Sequence, residues 1–327
     1  MTTQKDVAEK AGVTVTTVSR VINNRGYIAE ETRDKVYQVM DQLNYRPNAV
    51  ARSLSRKKSN VLGVILPAVN HPFFCSLLSY LEEFAYQQDY KIMLCNSRME
   101  AEKEKDYFNM LRAQQVDGIF LASHTLDIAA EMKIDLPVIT FDREIEGLPY
   151  ICSDNNKGGK LAAEHLLARG AKKLAYIGGS LKLNLLSNQR YQAFKEKAGA
   201  AGFSVKNYQC QLDSFDRREY QQLAARIFSE DKEIDGIFAG SDLIAAAVIK
   251  EAKKFGIKVP DDLKVVGYDD LELAHLYNPE ITTIKQPAAE IAREAVEQLL
   301  KAINGEEIKK KNILDVELIV RKSTSIN

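Results

Sequence analysis

Charged side chains stand directly after three of the strand-like runs in the part of the chain that follows residue 60. Asp142-Arg143 follows one run, Ser241-Asp242 follows a second, and Asp269 follows a third. Because ligands of parallel α/β sheets bind beyond the carboxyl ends of the strands, we expect these side chains to line one cleft. A sugar hydroxyl both donates and accepts, so carboxylates and a guanidinium can form several charge-assisted bonds with it. The residue types therefore predict a site for a polyhydroxylated ligand.

A second kind of chemistry is indicated by the distribution of charge. The 327 residues hold 45 Lys+Arg and 45 Asp+Glu, a formal net charge of zero. Residues 1–59 hold eleven basic and six acidic side chains, a net charge of +5, and the remainder holds 34 and 39, a net charge of −5. A small basic head on a larger acidic body favours contact between the head and a polyanion. Chance clustering on a solvated face is the alternative.

Three short amphipathic helices would carry this basic charge. Thr3, with Asp6 three residues later, has the pattern of a capping box, and Gly12 ends that helix. Thr14 is the predicted N-cap of a second helix, and a third runs from about Glu30 to Leu43. Two short helices joined by a turn that contains glycine describe a helix-turn-helix. The apolar positions at helical spacing, which predict the core, are Val7, Ala8, Ala11, Val18, Val21, Ile22, Val36, Val39, Met40 and Leu43.

The second helix has an outer face suited to DNA. Val15, Thr16 and Arg20 lie opposite its apolar face. Thr and Arg can reach base edges in the major groove, and Val15 can contact a thymine methyl group.

The segment from Asn44 to Leu54 leads into the body. Pro47 can begin a short helix, with Ala51 and Leu54 along one edge and basic residues around it. One short helix cannot bury its own apolar face, so it needs a partner helix, a minor groove, or both. Apolar side chains wedged between base steps are how minor-groove binders kink DNA. A plain interdomain linker is the alternative.

The body alternates short strand-like runs with longer helical patterns, which is typical of a parallel α/β sheet. Three strand motifs recur in the same order, at offsets of about 110 to 130 residues that drift only with loop length. Val61–Ile65 is echoed by Leu174–Gly178, Asp117–Phe120 by Asp235–Phe238, and Leu136–Asp142 by Leu263–Asp269. This order predicts two similar lobes.

The head and the segment after it closely resemble the DNA-binding region of the lactose-repressor/galactose-repressor (LacI/GalR) transcription factors. The resemblance is carried by Asp6-Val7-Ala8, Ala11-Gly12-Val13-Thr14, Thr17 to Asn23, Tyr45-Arg46-Pro47-Asn48 and Ala51-Arg52-Ser53-Leu54. It implies that Val15, Thr16 and Arg20 read the major groove. It also implies that Leu54 is the minor-groove wedge, that Asn23 and Tyr45 hold the DNA backbone, and that Asn48 and Ala51 lie in the DNA-binding hinge.

The resemblance continues over the whole chain and implies an all-α helix-turn-helix head with an α/β body. The body would be a two-lobed, periplasmic-binding-protein-like (type I) sensor with parallel sheets. The expected limits are 1–46 for the head, 47–59 for the hinge helix and 60–327 for the body. Lobe one would span about 60–157 and 288–319, and lobe two about 158–287 and 320–327. The family implies a homodimer that grips a palindromic operator and releases it when a sugar effector closes the lobes.

The body is most similar to the ribose-type members of this family. That likeness implies an effector site formed by His71, Phe73, Phe74, Asp142, Arg143, Arg190, Phe215, Ser241, Asp269 and Gln286. His71 and Ser241 each replace an asparagine of the ribose-type pattern, so the effector is left open between a ribose-type sugar and a sucrose or fructoside type. Sucrose repressors of the family share the Ser153-Asp154-Asn155 motif.

Each of these residues also has a structural interpretation. Asp142 and Asp269 could cap the loops after their strands, Phe73 and Phe74 could belong to the core, and Arg190 could form a surface salt bridge. Their agreement with one family pattern is what favours a site.

The sequence lacks the short motifs that are typical of nucleotide-binding proteins, hydrolases and metalloproteases. The sequence has no Gly-x-Gly-x-x-Gly, Walker, Gly-x-Ser-x-Gly or His-Glu-x-x-His pattern, and its four histidines have no metal-ligand spacing. No enzyme activity, metal or cofactor is expected. Its four scattered cysteines, lack of a signal peptide and lack of a long apolar run predict a cytoplasmic protein without a membrane partner. A sugar-binding protein or enzyme remains the alternative class, and within the repressor class a phosphorylated carrier protein could be the co-repressor.

Overall fold

The computed structural model of the chain describes residues 2–46, 58–122, 134–211 and 215–325. It divides into two compact units, Met1–Ser59 and Asn60–Asn327, which we call the head and the body. The predicted hinge residues Asn48, Ala51 and Leu54 lie outside the described residues. None of the helices in the described part of the chain is long and apolar enough to cross a membrane.

Three helices form the head: α1 (Gln4–Ala11), α2 (Val15–Asn23) and α3 (Glu30–Gln42). The capping box of Thr3 and Asp6 is present, and Gly12 ends α1 in the left-handed conformation at φ 64°. The Thr14 side chain accepts from the N–H of Thr17, which confirms it as the N-cap of α2. The predicted apolar positions form one core, with Ile22 and Leu43 at its partly buried edge.

The first sheet of the body has six strands in the order β11-β5-β4-β3-β1-β2, and every described pairing is parallel. The strands are β1 (Val61–Leu66), β2 (Lys91–Asn96), β3 (Gly118–Leu121), β4 (Val138–Phe141), β5 (Tyr150–Ser153) and β11 (Lys311–Leu314). Helices cover both faces, so the central strands read as continuous apolar runs. Helices α4 (Pro72–Tyr86) and α11 (Ala288–Ile303) pack on one face, and α5 (Ala101–Ala113) packs on the other.

The second sheet repeats this arrangement in the order β12-β10-β9-β8-β6-β7. Its strands are β6 (Leu174–Gly178), β7 (Val205–Gln209), β8 (Gly236–Ala239), β9 (Lys264–Asp269), β10 (Thr282–Lys285) and β12 (Glu317–Ile319). Helices α6 (Asn155–Ala168) and α7 (Asn188–Ala200) cover one face. The opposite face is covered by α8 (Arg217–Glu230) and α9 (Asp242–Lys254), and the short α10 (Glu272–Leu276) follows β9.

The three repeated strand motifs occupy equivalent places in the two sheets, which confirms the prediction of two similar lobes. In the first sheet the motifs form β1, β3 and β4, and in the second sheet they form β6, β8 and β9, in that order.

Two details differ from the sequence-based expectation. The strand β12 pairs antiparallel with β10, so the second sheet is mixed rather than wholly parallel. Because Glu317–Ile319 belongs to that second sheet, the last crossing between the lobes lies between Leu314 and Glu317 rather than near residue 320. Only two residues separate β11 from β12 at this crossing. So short a connection carries no loop signal, and the pattern of apolar residues therefore does not show where it lies.

Candidate functional site

A cavity of about 170 Å³ lies beyond the carboxyl ends of the strands and is lined by both lobes of the body. Nine of the ten predicted effector residues line it, namely His71, Phe73, Phe74, Asp142, Arg190, Phe215, Ser241, Asp269 and Gln286. The expectation that strand ends from two lobes meet at one cleft is therefore confirmed for these side chains.

Aromatic rings form one side of the cavity. Pro72 begins α4 directly after His71, so the first turn of that helix faces the cavity. The ring centroid of His71 lies 5.5 Å from that of Phe74 and 5.0 Å from that of Phe215, and the rings of Phe73 and Phe74 are 5.7 Å apart in an edge-on arrangement. These are ordinary distances for attractive aromatic pairs. The rings offer the apolar surface that can cover one face of a sugar.

His71 also supplies a polar group to this aromatic side. It is 7% exposed, and its Nδ1 has no hydrogen-bond partner among the described residues. Burial, assisted by the positive charge of Arg190, lowers the pKa of His71 to about 4. The imidazole is therefore neutral near pH 7 and can either donate or accept, depending on its tautomer.

Arg190, on the first turn of α7, is fixed by three contacts. Its Nε donates to Asn155 Oδ1 at 2.7 Å, and its Nη1 donates to the Gly240 carbonyl at 3.0 Å. Its guanidinium stacks 3.6 Å from the ring centroid of Tyr268. Backbone, amide and aromatic groups thus hold the planar cation in one orientation, which leaves its remaining N–H groups a fixed direction.

The two carboxylates of the cavity come from the repeated strand motif. Asp142 follows β4 at φ 54°, and Asp269 ends β9 at φ 111°, so both lie in the region where L-residues other than glycine are uncommon. At equivalent strand ends, each lobe thus places a carboxylate with a positive φ in the lining of the cavity.

Polar contacts connect these carboxylates to their neighbours. Asn155 Nδ2 donates to Asp142 Oδ1 at 3.2 Å, and Gln286 Nε2 donates to Asp269 Oδ1 at 2.6 Å. The Gln286 Oε1 in turn accepts from Ser153 Oγ at 2.7 Å. Since Ser153 ends a strand of the first sheet and Asp269 ends one of the second, this chain of bonds links the two lobes at the cavity.

Charge in the cavity is unevenly balanced. Of the described residues that line it, Arg190 alone is cationic, whereas Asp142 and Asp269 are both acidic. Burial raises the pKa of Asp142, and it raises the pKa of Asp269 to about 7, although Arg190 acts in the opposite direction on both. One guanidinium is thus insufficient to keep both carboxyls fully ionised at neutral pH.

Ser241 lines the cavity but is already engaged in the fold. It is the N-cap of α9, and its Oγ accepts from the N–H of Ile244 at 3.3 Å. Its hydroxyl can still donate to a ligand.

Arg143 is the predicted effector residue that the structure does not bring to the cavity. It is absent from the lining, and its carbonyl oxygen accepts from Thr140 Oγ1 at 2.7 Å. Asp142 takes a positive φ directly after β4, so the regular alternation of side chains along the strand ends there and does not predict where the Arg143 side chain lies. The expected Asp-Arg pair is therefore reduced to its aspartate, and Arg190 supplies the guanidinium.

Sequence reasoning missed three residues that shape the site. Asn155 contacts both Asp142 and Arg190, Tyr268 carries the stacked guanidinium, and Tyr176 lines the cavity. The Ser153-Asp154-Asn155 motif was the available signal for Asn155. Tyr268 directly precedes Asp269 in an apolar strand, and nothing in the strand pattern separates it from core residues.

In the head, the predicted major-groove residues are accessible. Val15, Thr16 and Arg20 are all exposed on α2. Asn23 is half-buried and donates to the Ser19 carbonyl at 2.8 Å, while Tyr45 packs at the edge of the head core. Tyr45 and Asn23 therefore take part in the fold of the head, whatever they contact in addition.

Two descriptions of known protein families match parts of this chain. Residues 3–48 match the family described as bacterial regulatory proteins, lacI family, and residues 163–324 match the periplasmic binding protein-like domain. The chain is 36% identical over 326 residues to the ribose operon repressor of Halalkalibacterium halodurans, covering 99% of this chain and 97% of that protein. It is 38% identical over 319 residues to the sucrose operon repressor of Streptococcus mutans, covering 97% and 98%.

Solved structures of similar fold also include regulators of this kind. A lac repressor dimer bound to operator and the anti-inducer ONPF has a TM-score of 0.89 at 27% identity, and the match covers 99% of each chain. A periplasmic binding protein/LacI transcriptional regulator from Alkaliphilus metalliredigens, complexed with D-xylulofuranose, has a TM-score of 0.74 at 32% identity. That match covers 82% of this chain and 100% of the other.

The fold and the cavity define a class of protein that combines a helix-turn-helix head with a two-lobed ligand-binding body. Full-length likeness at these identities makes the assignment more specific. The chain belongs to the lacI family of bacterial regulatory proteins.

Proposed function

We propose that this chain is a cytoplasmic transcriptional repressor of a sugar-utilisation operon, released from its operator by a neutral monosaccharide. The observation that carries the proposal is the cavity that a fixed Arg190 lines together with Asp142, Asp269 and a group of aromatic rings. Carboxylates and a guanidinium recognise hydroxyl groups, while aromatic faces cover the C–H surface of a sugar ring.

The charge of the cavity supports a neutral ligand. Two acidic side chains face a single cation, and His71 is neutral near pH 7. A phosphate or carboxylate group would add negative charge to a site that already holds too little positive charge for its own carboxyls. A neutral sugar adds hydroxyl donors, which stabilise ionised carboxylates.

The size of the cavity supports a single sugar ring. Its volume of about 170 Å³ is small beside the ~300–1,000 Å³ of pockets that hold drug-sized ligands. A monosaccharide fits this size better than a disaccharide does. Two of the relatives named above, the ribose operon repressor and the regulator complexed with D-xylulofuranose, carry the names of monosaccharides.

The DNA-binding half of the proposal rests on the head. Its exposed Val15, Thr16 and Arg20 lie on the second helix of a helix-turn-helix, which is the helix that enters the major groove in this motif. The basic charge of residues 1–59 favours the phosphate backbone. The proposal extends to a homodimer on a palindromic operator, with Leu54 as the minor-groove wedge and Asn48 and Ala51 beside it.

Thermal denaturation with a panel of sugars tests the effector. The panel holds D-ribose, D-fructose, D-glucose, sucrose and the phosphates of the three monosaccharides. A ligand present at 100 times its Kd adds about 2.7 kcal/mol to the stability of the native state, which raises Tm by several degrees for a domain of this size. We expect one of the neutral monosaccharides to raise Tm and its phosphate to leave Tm unchanged.

The other outcomes separate the parts of the proposal. A shift with sucrose but with no monosaccharide would contradict the size argument and leave the sugar-responsive repressor standing. A shift with a phosphate alone would contradict the charge argument. No shift with any sugar would contradict the effector assignment and favour a protein co-repressor.

A further inference from the structure

A buried carboxyl group lies just outside the effector cavity and takes no part in its lining. Asp242 is the first residue of α9 and is fully buried. Its Oδ1 accepts from Thr283 Oγ1 at 2.6 Å, and its Oδ2 accepts from the backbone N–H of Leu271 at 2.8 Å. A buried acidic group with two well-formed bonds to two different segments has a specific structural task.

The segment that Asp242 holds is the turn directly after β9. This turn, Asp269–Leu271, contains two consecutive non-glycine residues at positive φ, with Asp269 at 111° and Asp270 at 57°. Such a backbone persists only where surrounding contacts determine it. Asp242 anchors the turn at Leu271, and Arg321 anchors it from the other side, with its Nη2 2.5 Å from Asp270 Oδ1. Asp269 is the member of the turn that faces the cavity.

The carboxyl reaches this position because the neighbouring strand makes room for it. A Cβ at Gly267 on β9 would lie 2.2 Å from Asp242 Oδ1, so a side chain there would displace the carboxyl. Thus Gly267 of β9 and Thr283 of β10 form a niche for Asp242 beneath the turn.

We propose that Asp242 is a positioning residue of the effector site, which holds the Asp269–Leu271 turn so that the Asp269 carboxylate stays directed into the cavity. This inference rests on the proposed function, because it assumes that the Asp269 carboxylate binds the effector. It also predicts that residue 242 needs two groups to support sugar binding: an acceptor for the Leu271 N–H and a hydrogen-bond partner for the Thr283 hydroxyl.

Asparagine can reproduce both contacts. Its amide oxygen accepts from Leu271 N–H, and its NH₂ donates to the Thr283 hydroxyl, which can act as acceptor. Burial and the nearby Asp269 raise the pKa of Asp242 well above its ordinary value, so a neutral group is tolerated in this niche. Alanine supplies neither contact.

The experiment compares three variants by calorimetric titration with D-ribose or, if the parent protein does not bind D-ribose, with D-fructose or D-glucose. We expect Asp242→Ala to weaken sugar binding by about tenfold or more, because the sugar then loses a well-placed hydrogen bond to the charged Asp269 carboxylate. Asp242→Asn should stay within about threefold of the parent protein. Thr283→Val, which removes one contact and keeps the shape, should fall between them.

Asp235→Ala is the matched control. Asp235 also holds backbone N–H groups, those of Lys172 and Lys173, and it does so at the opposite end of the same sheet. Asp235→Ala should lower Tm and leave the sugar Kd unchanged. Asp242→Ala would behave in the same way if Asp242 had only a structural role.

Each outcome decides the inference. Parent-like sugar affinity in Asp242→Ala would overturn it, and so would equal losses in the Asn and Ala variants. If Asp242→Ala does not fold, parent-like affinity in Thr283→Val overturns it instead. A parent protein that binds none of the three sugars contradicts the proposed function, a result that is distinguishable because it appears before any variant is made.

Discussion

A guanidinium and two carboxyl groups share one small cavity in this protein, and their arrangement sets the chemistry of the site. Arg190 is held by an amide oxygen, a backbone carbonyl and an aromatic face, so its orientation does not depend on the carboxylates alone. This leaves Asp142 and Asp269 with acceptor capacity for a ligand. Burial raises the pKa of both groups, so these carboxyl groups keep a proton to a higher pH than ordinary aspartates do.

At the residue scale, sugar affinity should increase with pH around neutrality. The pKa of Asp269 is about 7, and sugar hydroxyls donate to its ionised form, so binding releases a proton. The apparent affinity should therefore rise by about tenfold from pH 6 to pH 8 and level off above. His71, whose pKa is about 4, stays neutral throughout this window. Calorimetric titration at several pH values measures the effect.

Asp269→Asn is the control for this pH dependence, because its amide does not titrate. The variant should bind more weakly and with a flat pH profile between pH 6 and pH 8. A parent protein whose affinity falls as the pH rises would show that the sugar prefers the protonated carboxyl, against our expectation.

At the element scale, the position of Arg190 depends on how closely two helices pack. Helices α6 and α7 approach each other at Gly159, where a Cβ would lie 2.2 Å from the Arg190 carbonyl oxygen and 3.0 Å from Ala193 Cβ. No side chain fits there without moving α7. Because α7 carries Arg190 on its first turn, the glycine couples helix packing to the site.

Gly159→Ala should therefore destabilise the body by about 1–3 kcal/mol, the range typical of overpacking, and should also weaken sugar binding. Gly199→Ala, on α7 at a point where no atom outside the neighbouring helix backbone lies within 4 Å of the added Cβ, is the matched control. It should stabilise the protein by about 0.5–1 kcal/mol without a change in sugar affinity. Urea unfolding and calorimetric titration measure the two quantities, and equal behaviour of the two variants would show that the helix contact is not critical.

At the scale of the whole molecule, function requires that the body and the head influence each other. A coupling free energy of about 1–3 kcal/mol would change DNA affinity by roughly 5–150-fold when the sugar binds. The same factor must then appear in reverse, so that operator DNA weakens the binding of the sugar. This reciprocity does not depend on the structural route between the two units.

Two variants should separate the two activities. Arg20→Ala in the head should lose binding to a duplex selected by this protein from a random library, yet keep the sugar-induced rise in Tm. Arg190→Lys should keep DNA binding and lose both the rise in Tm and the release from DNA, because lysine lacks the planar group that the cavity holds. Fluorescence anisotropy and thermal denaturation measure these effects. Loss of sugar response in Arg20→Ala would argue against independent sites.

Much of this arrangement could be predicted from local patterns. Capping residues such as Thr3, Thr14 and Gly12 fixed the ends of the head helices, because a cap acts within one turn of chain. The three recurring strand motifs identified equivalent strands of two lobes. Nine of the ten residues named from the family pattern line the cavity. Arg143 is the exception, because the strand alternation ends at the positive φ of Asp142 and does not predict which of the two adjacent side chains lies at the cavity.

The sequence by itself determined the helix-turn-helix, the repeated α/β order and the residue types of the site, since all three depend on spacing along the chain. Only the tertiary structure decided that Asn155 and Tyr268 hold Arg190, that Gln286 links Ser153 to Asp269, and that Asp242 lies beneath the turn that carries Asp269. It also decided that β12 joins the second sheet. These contacts join residues far apart in the chain, and burial, charge and close packing become defined only when the two lobes fold around one cavity.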